Sequence, residues 1–362
     1  MKNISKILFA ELAMICMAGL VYAVINPFQE TDHTAKKERA FRPAEYCQQC
    51  HPKEYDQWSK SAHSFSFKGP VFQNFFNQFL NDTGVKNKRV CLRCHAPAAV
   101  FNEDLEMKVP ENNSPVSCEI CHSIAGYDSN YELLFDMAGN MFSTNKATLG
   151  GGHDVLKNPR INTTEWCAPC HTLVNPNQKN IICSQDIRYN SWKENTGRPE
   201  QCQDCHMRDS QGNVDHTFRG ISDPAFLKDA LKIRWDVAIE PENYKVKLII
   251  YNDKIAHLFP LGMSLTRVVI EAAIVNRESK TLYKQEAYLG KLYEDKDGLW
   301  PIAGWKGSKI RIDNAISPLE SRMMVFNLPV VTNADSIVLK VYYSRYPEDK
   351  EQLIIFIDQK KI

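Results

Sequence analysis

From Leu231 onward, apolar and polar residues alternate along the chain. In LKIRWDVAI (231–239), Leu231, Ile233, Trp235, Val237 and Ile239 interleave with polar partners. That is the period of a strand with one buried face. YKVKLIIY (244–251), TRVVIEAAIVN (266–276), TLYKQEAYLG (281–290), SKIRID (308–313), RMMVFNLP (322–329), SIVLKVYYS (336–344) and QLIIFID (352–358) follow, with turn residues between them. Short strands at this spacing predict an antiparallel β-sandwich over 224–362. Residues 46–222 read differently. Long periodic segments are few there, and short helices are predicted near PKEYDQWSKSAHS (52–64), VFQNFFNQFLNDT (71–83) and RYNSWKENT (188–196). Loops rich in Asn, Pro and Gly separate them. A stretch of this kind cannot build a large side-chain core. The predicted class is α+β: a helix-and-loop region followed by a sandwich.

The cysteines explain what replaces that core. YCQQCH, CLRCH, CEICH, CAPCH and CQDCH place Cys47/Cys50/His51, Cys91/Cys94/His95, Cys118/Cys121/His122, Cys167/Cys170/His171 and Cys202/Cys205/His206 in one repeated pattern. With this composition, chance placement gives on the order of 0.01 such motifs. Five C-x-x-C-H motifs predict five covalent attachment sites for haem c. The two thiols add to the two vinyl groups of one porphyrin, and the adjacent His ligates the iron from below. Structural zinc has no need of a His after every second Cys. A thioredoxin-like site expects one C-x-x-C beside a βαβ pattern, which is not visible. A disulfide framework does not repeat one motif five times. Porphyrins packed by Phe, Tyr and Trp then form the core of 46–222, and folding depends on their insertion.

Ten histidines are present, and five are taken by the motifs. The remaining five, His33, His63, His153, His216 and His257, supply one sixth ligand per iron. His63 lies in WSKSAHS among aromatics. His216 lies in VDHTFRG, where Phe and Gly permit close approach to a ring. His257 in AHLFPLGM sits between strands of the sandwich, yet is expected to reach a haem at the boundary. His153 follows LGGG. His33 lies in a charged arm, where solvation competes with ligation in the same chain or in a neighbouring subunit. Cys183, outside the motifs, reads as a small buried apolar residue.

The remaining composition changes the picture little. Lys and Arg total 44 against 43 Asp and Glu, and no basic stripe argues for nucleic acid. Five haems would add roughly ten propionate charges, making the field more acidic than the chain alone suggests. Residues 1–26 combine Lys2 and Lys6 with the apolar run ILFAELAMICMAGLVYAVI, and VYA ending at Ala23 offers a cleavage site. Glu11 interrupts the run, whose length is near that of a membrane span, so an uncleaved anchor is the alternative. Cys16 lacks the small residues that precede a lipidated Cys. Either way the chain is expected in the periplasm or outside the cell. Residues 27–45 are polar and charged and predict a linker arm.

SPVSCEICHSIAGY, WCAPCHTLVN, CQDCHMRD and DHTFRG resemble segments of multihaem c-type cytochromes related to the tetrahaem electron carriers of nitrifying bacteria. AHLFPLGMSLTR and ISPLESRMMVFNLP are similar to a β-sandwich appended to many multihaem cytochromes. The resemblance spans most of 44–345. It implies closely packed haems that pass electrons, mostly with two axial histidines. His51, His95, His122, His171 and His206 are carried over as proximal ligands, and His63, His216 and His257 as distal ones. The chain departs from that group in having five motifs instead of four.

Three classes of function follow. A carrier needs only six-coordinate irons and redox partner proteins. An enzyme needs one open iron for a small nitrogen compound or peroxide. The C-x-x-C-K usual in multihaem nitrite reductases is absent, and Arg188, Arg208 and Arg219 could assist an anion but read more simply as surface residues. A structural role, as a homo-oligomer or a subunit of a membrane respiratory complex, is the third class. Intact-mass measurement on matured protein should show the chain plus five haem masses, and four or fewer would overturn the motif reading.

Overall fold

The computed structural model describes residues 39–128, 132–144, 152–171, 183–184, 197, 200–347, 349 and 351–362. His33, the apolar run at 7–25, Arg188 and the helix expected at 188–196 lie outside them. Among the described residues no helix is long and apolar enough to cross a membrane.

The helix-and-loop region is built from short pieces: α1 (Ala44–Gln48), α2 (Pro52–Ser59), α3 (Pro70–Thr83), α4 (Lys88–His95), α5 (Pro97–Phe101), α6 (Cys118–His122), α7 (Thr164–His171), α8 (Cys202–His206) and α9 (Pro224–Lys228). Four of the five motifs end a helix with their His. In a helix, positions i, i+3 and i+4 share one face, so both thiols and the imidazole leave on the same side. The first motif reaches this arrangement with a turn, in which the His51 and Cys50 amides both donate to the Cys47 carbonyl, at 2.9 and 3.2 Å. Between the helices lie two small sheets, β1 (Ile124–Tyr127) with β2 (Leu133–Phe135), and β3 (Met141–Ser143) with β4 (Val155–Lys157).

α3 is the longest helix of this region. Pro70 opens it, where the missing N–H costs nothing, and Gly84 at φ +96° ends it. Its phenylalanines divide between two faces. Phe72 and Phe76 join Leu92 and Val100 around the second motif, whereas Phe75 joins Leu265 and Ala303 of the sandwich. Side-chain cores here are small, as expected for a chain that packs around something other than itself.

The sandwich contains all eight predicted strands. β6 (Lys232–Ile239), β7 (Asn243–Tyr251) and β12 (Ser321–Pro329) form a three-stranded antiparallel sheet in the order β12-β7-β6. β9 (Arg267–Val275), β10 (Thr281–Glu294), β11 (Lys309–Asp313), β13 (Ser336–Ser344) and β14 (Leu353–Lys361) form a five-stranded one in the order β11-β10-β9-β13-β14. Val246, Leu248 and Ile250 of the first sheet meet Ile270, Ile274, Leu339 and Val341 of the second in one fully buried core. Two further two-residue strands, β5 (Cys183–Ser184) and β8 (Gly262–Met263), pair across the boundary between the regions. The period-two pattern is too short to mark them.

Of the arm expected over 27–45, the described end is not a solvated linker. Arg39 and Phe41 are buried. Arg39 donates to Glu119 at 2.9 Å and, through its backbone amide, to Asn102 at 2.9 Å, and Arg42 pairs with the same Glu119. Glu119 lies inside the third motif, so two cations neutralise a carboxylate that the motif buries, and Phe41 packs edge-on against Phe135. The charges read from sequence as solvation are in part a buried ion cluster.

Candidate functional site

One cavity of about 2000 Å³ runs through the first region to the sandwich. An ordinary ligand pocket measures ~300–1,000 Å³. All ten motif cysteines and all nine described histidines line it. Phe65 and Val214, both more than half exposed, face into it, so large apolar surfaces await a covering group.

The histidines stand in pairs across this space. Ring centroids lie 6.3 Å apart for His51 and His153, 6.1 Å for His171 and His63, 6.4 Å for His122 and His216, and 6.3 Å for His206 and His257. Two imidazoles bound on opposite sides of one metal at about 2 Å each have centroids about 6.3 Å apart. Each pair joins one motif His to one spare His from elsewhere in the chain. Among the described residues no three His, Cys, Asp or Glu side chains converge into a cage for a bare ion. Pairs flanked by thiols fit an iron porphyrin, with residues left to grip the ring, and do not fit structural zinc.

Hydrogen bonds fix the imidazoles from behind. Nδ1 of His95 faces the Ser66 carbonyl at 2.6 Å, that of His122 the Phe142 carbonyl at 2.8 Å, and that of His206 the Arg219 carbonyl at 2.6 Å. His257 Nδ1 faces its neighbour's carbonyl, Leu258, at 2.8 Å. An N–H donated this way leaves Nε2 as the atom that could bind a metal. Burial pushes the His63 pKa down to about 3, and nearby His171 and His95 add to the shift. Burial also holds His95 and His257 at about 4 and lowers His122 and His216. Neutral imidazole is the metal-binding form.

The motifs also touch one another. Helix α1 of the first motif lies against α6 of the third, and α7 of the fourth lies against both α4 of the second and α8 of the fifth. With the thiols free, the neighbouring Cys118 pulls Cys47 below the usual thiol range and Cys167 pulls Cys202 below it, while Cys118 and Cys167 are pushed up. Trp166 Nε1 donates to the Cys121 carbonyl at 3.2 Å. The fourth motif thus adjoins the second, third and fifth.

His257 is where the sandwich enters the site. Its loop is pinned by Asn252, fully buried at the end of β7, whose amide donates to the His257 carbonyl at 3.1 Å and the Ile316 carbonyl at 3.2 Å. Tyr343 Oη donates to Leu261 at 2.7 Å on the other side. Gly262, at φ +142°, leaves room for the Thr266 side chain, which a Cβ there would meet at 2.8 Å. Nothing in the sequence marks Asn252 or Ser66 as site residues, because their contribution is a single bond in a folded loop. Of the arginines considered for an anion site, Arg208 pairs with Asp204 and Arg219 with Asp223. His95 alone among the motif histidines has no described His across from it; Phe72 stacks on it at 4.0 Å.

Replacing Asn252 with Ala should leave the buried His257 carbonyl without its donor and the Ile316 carbonyl with the Phe259 amide alone, costing about 1–3 kcal/mol, and should loosen the His257 loop. Optical titration should then show one haem exchanging its sixth ligand with added imidazole; native behaviour would show that Asn252 does not position the loop.

Residues 46–123 match the family model "Cytochrome c554 and c-prime". No curated protein sequence matches the chain. Among solved structures, a penta-haem cytochrome c552 from Thermochromatium tepidum superposes with a TM-score of 0.70 at 19% identity, covering 89% of this chain and 99% of that one. A β-glucosidase 3B from Thermotoga neapolitana covers 36% of this chain and 15% of its own, at 13% identity and a TM-score of 0.17, which is too low to carry any argument. This chain therefore has the fold of a multihaem c-type cytochrome, and its segment 46–123 carries the signature of the cytochrome c554 and c-prime family.

Proposed function

We propose that this protein is an exported electron carrier holding five haems c, four of them between paired histidines. The observation that carries the reading is the set of four imidazole pairs at 6.1–6.4 Å, each joining a C-x-x-C-H His to a spare one. When bound, each haem supplies a one-electron ferric–ferrous couple. The chain's own residues do the rest. The two thiols of each motif would hold one ring covalently, and the paired histidines would occupy its iron and keep water and substrate from it. Aromatic walls exclude solvent, and adjoining motifs keep the rings within transfer distance of one another. Carriers of this kind exchange electrons with partner redox proteins at the surface, in a homo-oligomer or beside a membrane complex.

A second reading rests on His95. With four pairs assigned, the second motif is the one whose sixth ligand is undecided, and His33, outside the described residues, is its candidate partner. Ligation by His33 makes the relay closed; an open position makes a site for a small nitrogen compound. Electron paramagnetic resonance of the native protein should show low-spin iron throughout, and His33→Ala should create one high-spin haem. A native high-spin signal that binds nitric oxide in every assembly state would favour the second reading.

Export is supported by the basic and apolar start of the chain and by covalent haem attachment, which bacteria perform outside the cytoplasm. N-terminal sequencing of native protein should begin near Val24. A chain starting at Met1 in the membrane fraction would replace cleavage with an anchor.

A further inference from the structure

Two of the nine described imidazoles differ from four others in what stands behind them. Nδ1 of His63 and Nδ1 of His216 are buried with no hydrogen-bond partner, whereas His95, His122, His206 and His257 each face a carbonyl. The two share a neighbour. The Phe218 ring stands edge-to-face against His63 at 4.3 Å and 83°, and against His216 at 6.2 Å and 84°. Phe218 also adopts φ +50°, a left-handed conformation that is strained for a bulky residue. The surrounding backbone enforces it. Thr217 N donates to Asp215 at 2.9 Å, Arg219 N to the His206 carbonyl at 2.9 Å, and Asp215 N to the Met207 carbonyl at 2.9 Å.

The ring placed there has two effects. It blocks rotation of His63, whose plane crosses that of His171 at 72°, while the other three pairs lie at 15–36°. The ring also fills the space beside both Nδ1 atoms with carbon, and no oxygen stands within hydrogen-bond reach of either. An imidazole that donates no hydrogen bond is a poorer electron donor to its metal and stabilises the ferric state less. Crossed ligand planes act in the same direction.

We propose that Phe218 is a positioning residue that sets ligand orientation and reduction potential at two sites together, those of the third and fourth motifs. It does so by fixing the His63 ring and withholding hydrogen bonds from His63 and His216. These motifs are the central ones: the fourth adjoins the second and fifth, and the third adjoins the first. Raising their potential makes the middle of the relay the place where electrons collect. The inference rests on the reading of His63 and His216 as axial ligands.

The test is a redox titration followed by electron paramagnetic resonance on full-length holoprotein. The native protein should show one broad, large-g low-spin signal from the crossed pair, and that signal should be lost before those of the near-parallel pairs as the potential is lowered. Phe218→Leu, at full haem content by pyridine haemochrome, should convert the broad signal to an ordinary rhombic one. By admitting water as an acceptor for the two ring N–H groups, it should also move two one-electron steps to lower potential, leaving the remaining signals native. Phe218→Tyr, which keeps the aromatic edge, should restore the native spectrum. Absence of a large-g signal in the native protein overturns the proposal even if Phe218→Leu matures poorly. A native spectrum and titration in Phe218→Leu, or equal change at every haem, overturns it as well. Should His63→Ala leave all low-spin iron intact, the axial assignment fails, and that failure is separate from any result at Phe218.

Discussion

The structure depends on imidazoles meeting in pairs across a gap of about 6 Å. Three of the pairs join residues about a hundred positions apart in the chain, and the fourth joins residues about fifty apart. Held through a metal, each pair acts as a cross-link. In the chain-entropy model a covalent link closing a loop of this length removes about 4–5 kcal/mol of freedom from the unfolded state. The links interleave: His63 follows the first motif but faces the fourth, and His216 follows the fifth but faces the third. This interleaving lets so many short helices hold one arrangement with only small apolar clusters between them.

The sandwich belongs to the same scheme. Its His257 loop faces His206, and its Trp305 and Lys306 both reach Asp82 at the end of α3, at 2.8 and 3.0 Å. α3 places Phe72 on the second motif and Phe75 on the sandwich. Two motifs, the second and the fifth, are therefore braced from the β-region. The sandwich core, buried on its own account, gives these contacts a rigid base that the helix-and-loop region could not supply.

Much of this was legible in the sequence because the signals are periodic or covalent. Alternation marked every long strand, since one face of each meets the core, and the C-x-x-C-H repeat marked the cysteines and histidines that line the cavity. His63, His153, His216 and His257 could be named as candidates by counting, but which motif each one faces follows from chain paths that no local pattern encodes. Arg39 illustrates the opposite failure. Its neighbours Lys36, Lys37, Glu38 and Arg42 look like a solvated run, yet Arg39 is buried because Glu119 is buried too. Ser66 contributes a carbonyl oxygen, which any residue type possesses, so its role leaves no trace in residue identity.

The pairing also orders the events of folding. Each motif histidine lies in the same few residues as its thiols, so attachment of a haem there would need only local chain. Its distal partner needs remote chain: the first site waits for residue 153, the fourth motif turns back to His63, and the fifth waits for β7 and the loop beyond it. Ligand closure is therefore a tertiary event and attachment a local one. A chain with small side-chain cores gains little by collapsing before its haems arrive. Burial makes the same distinction in energy. It disfavours protonation of His63, His95 and His257, so once the walls close, these rings are held in the form that binds metal and competes least with solvent. On the proposed ligation, fold and metal binding would select one another, since each imidazole pair draws on residues about fifty to a hundred positions apart.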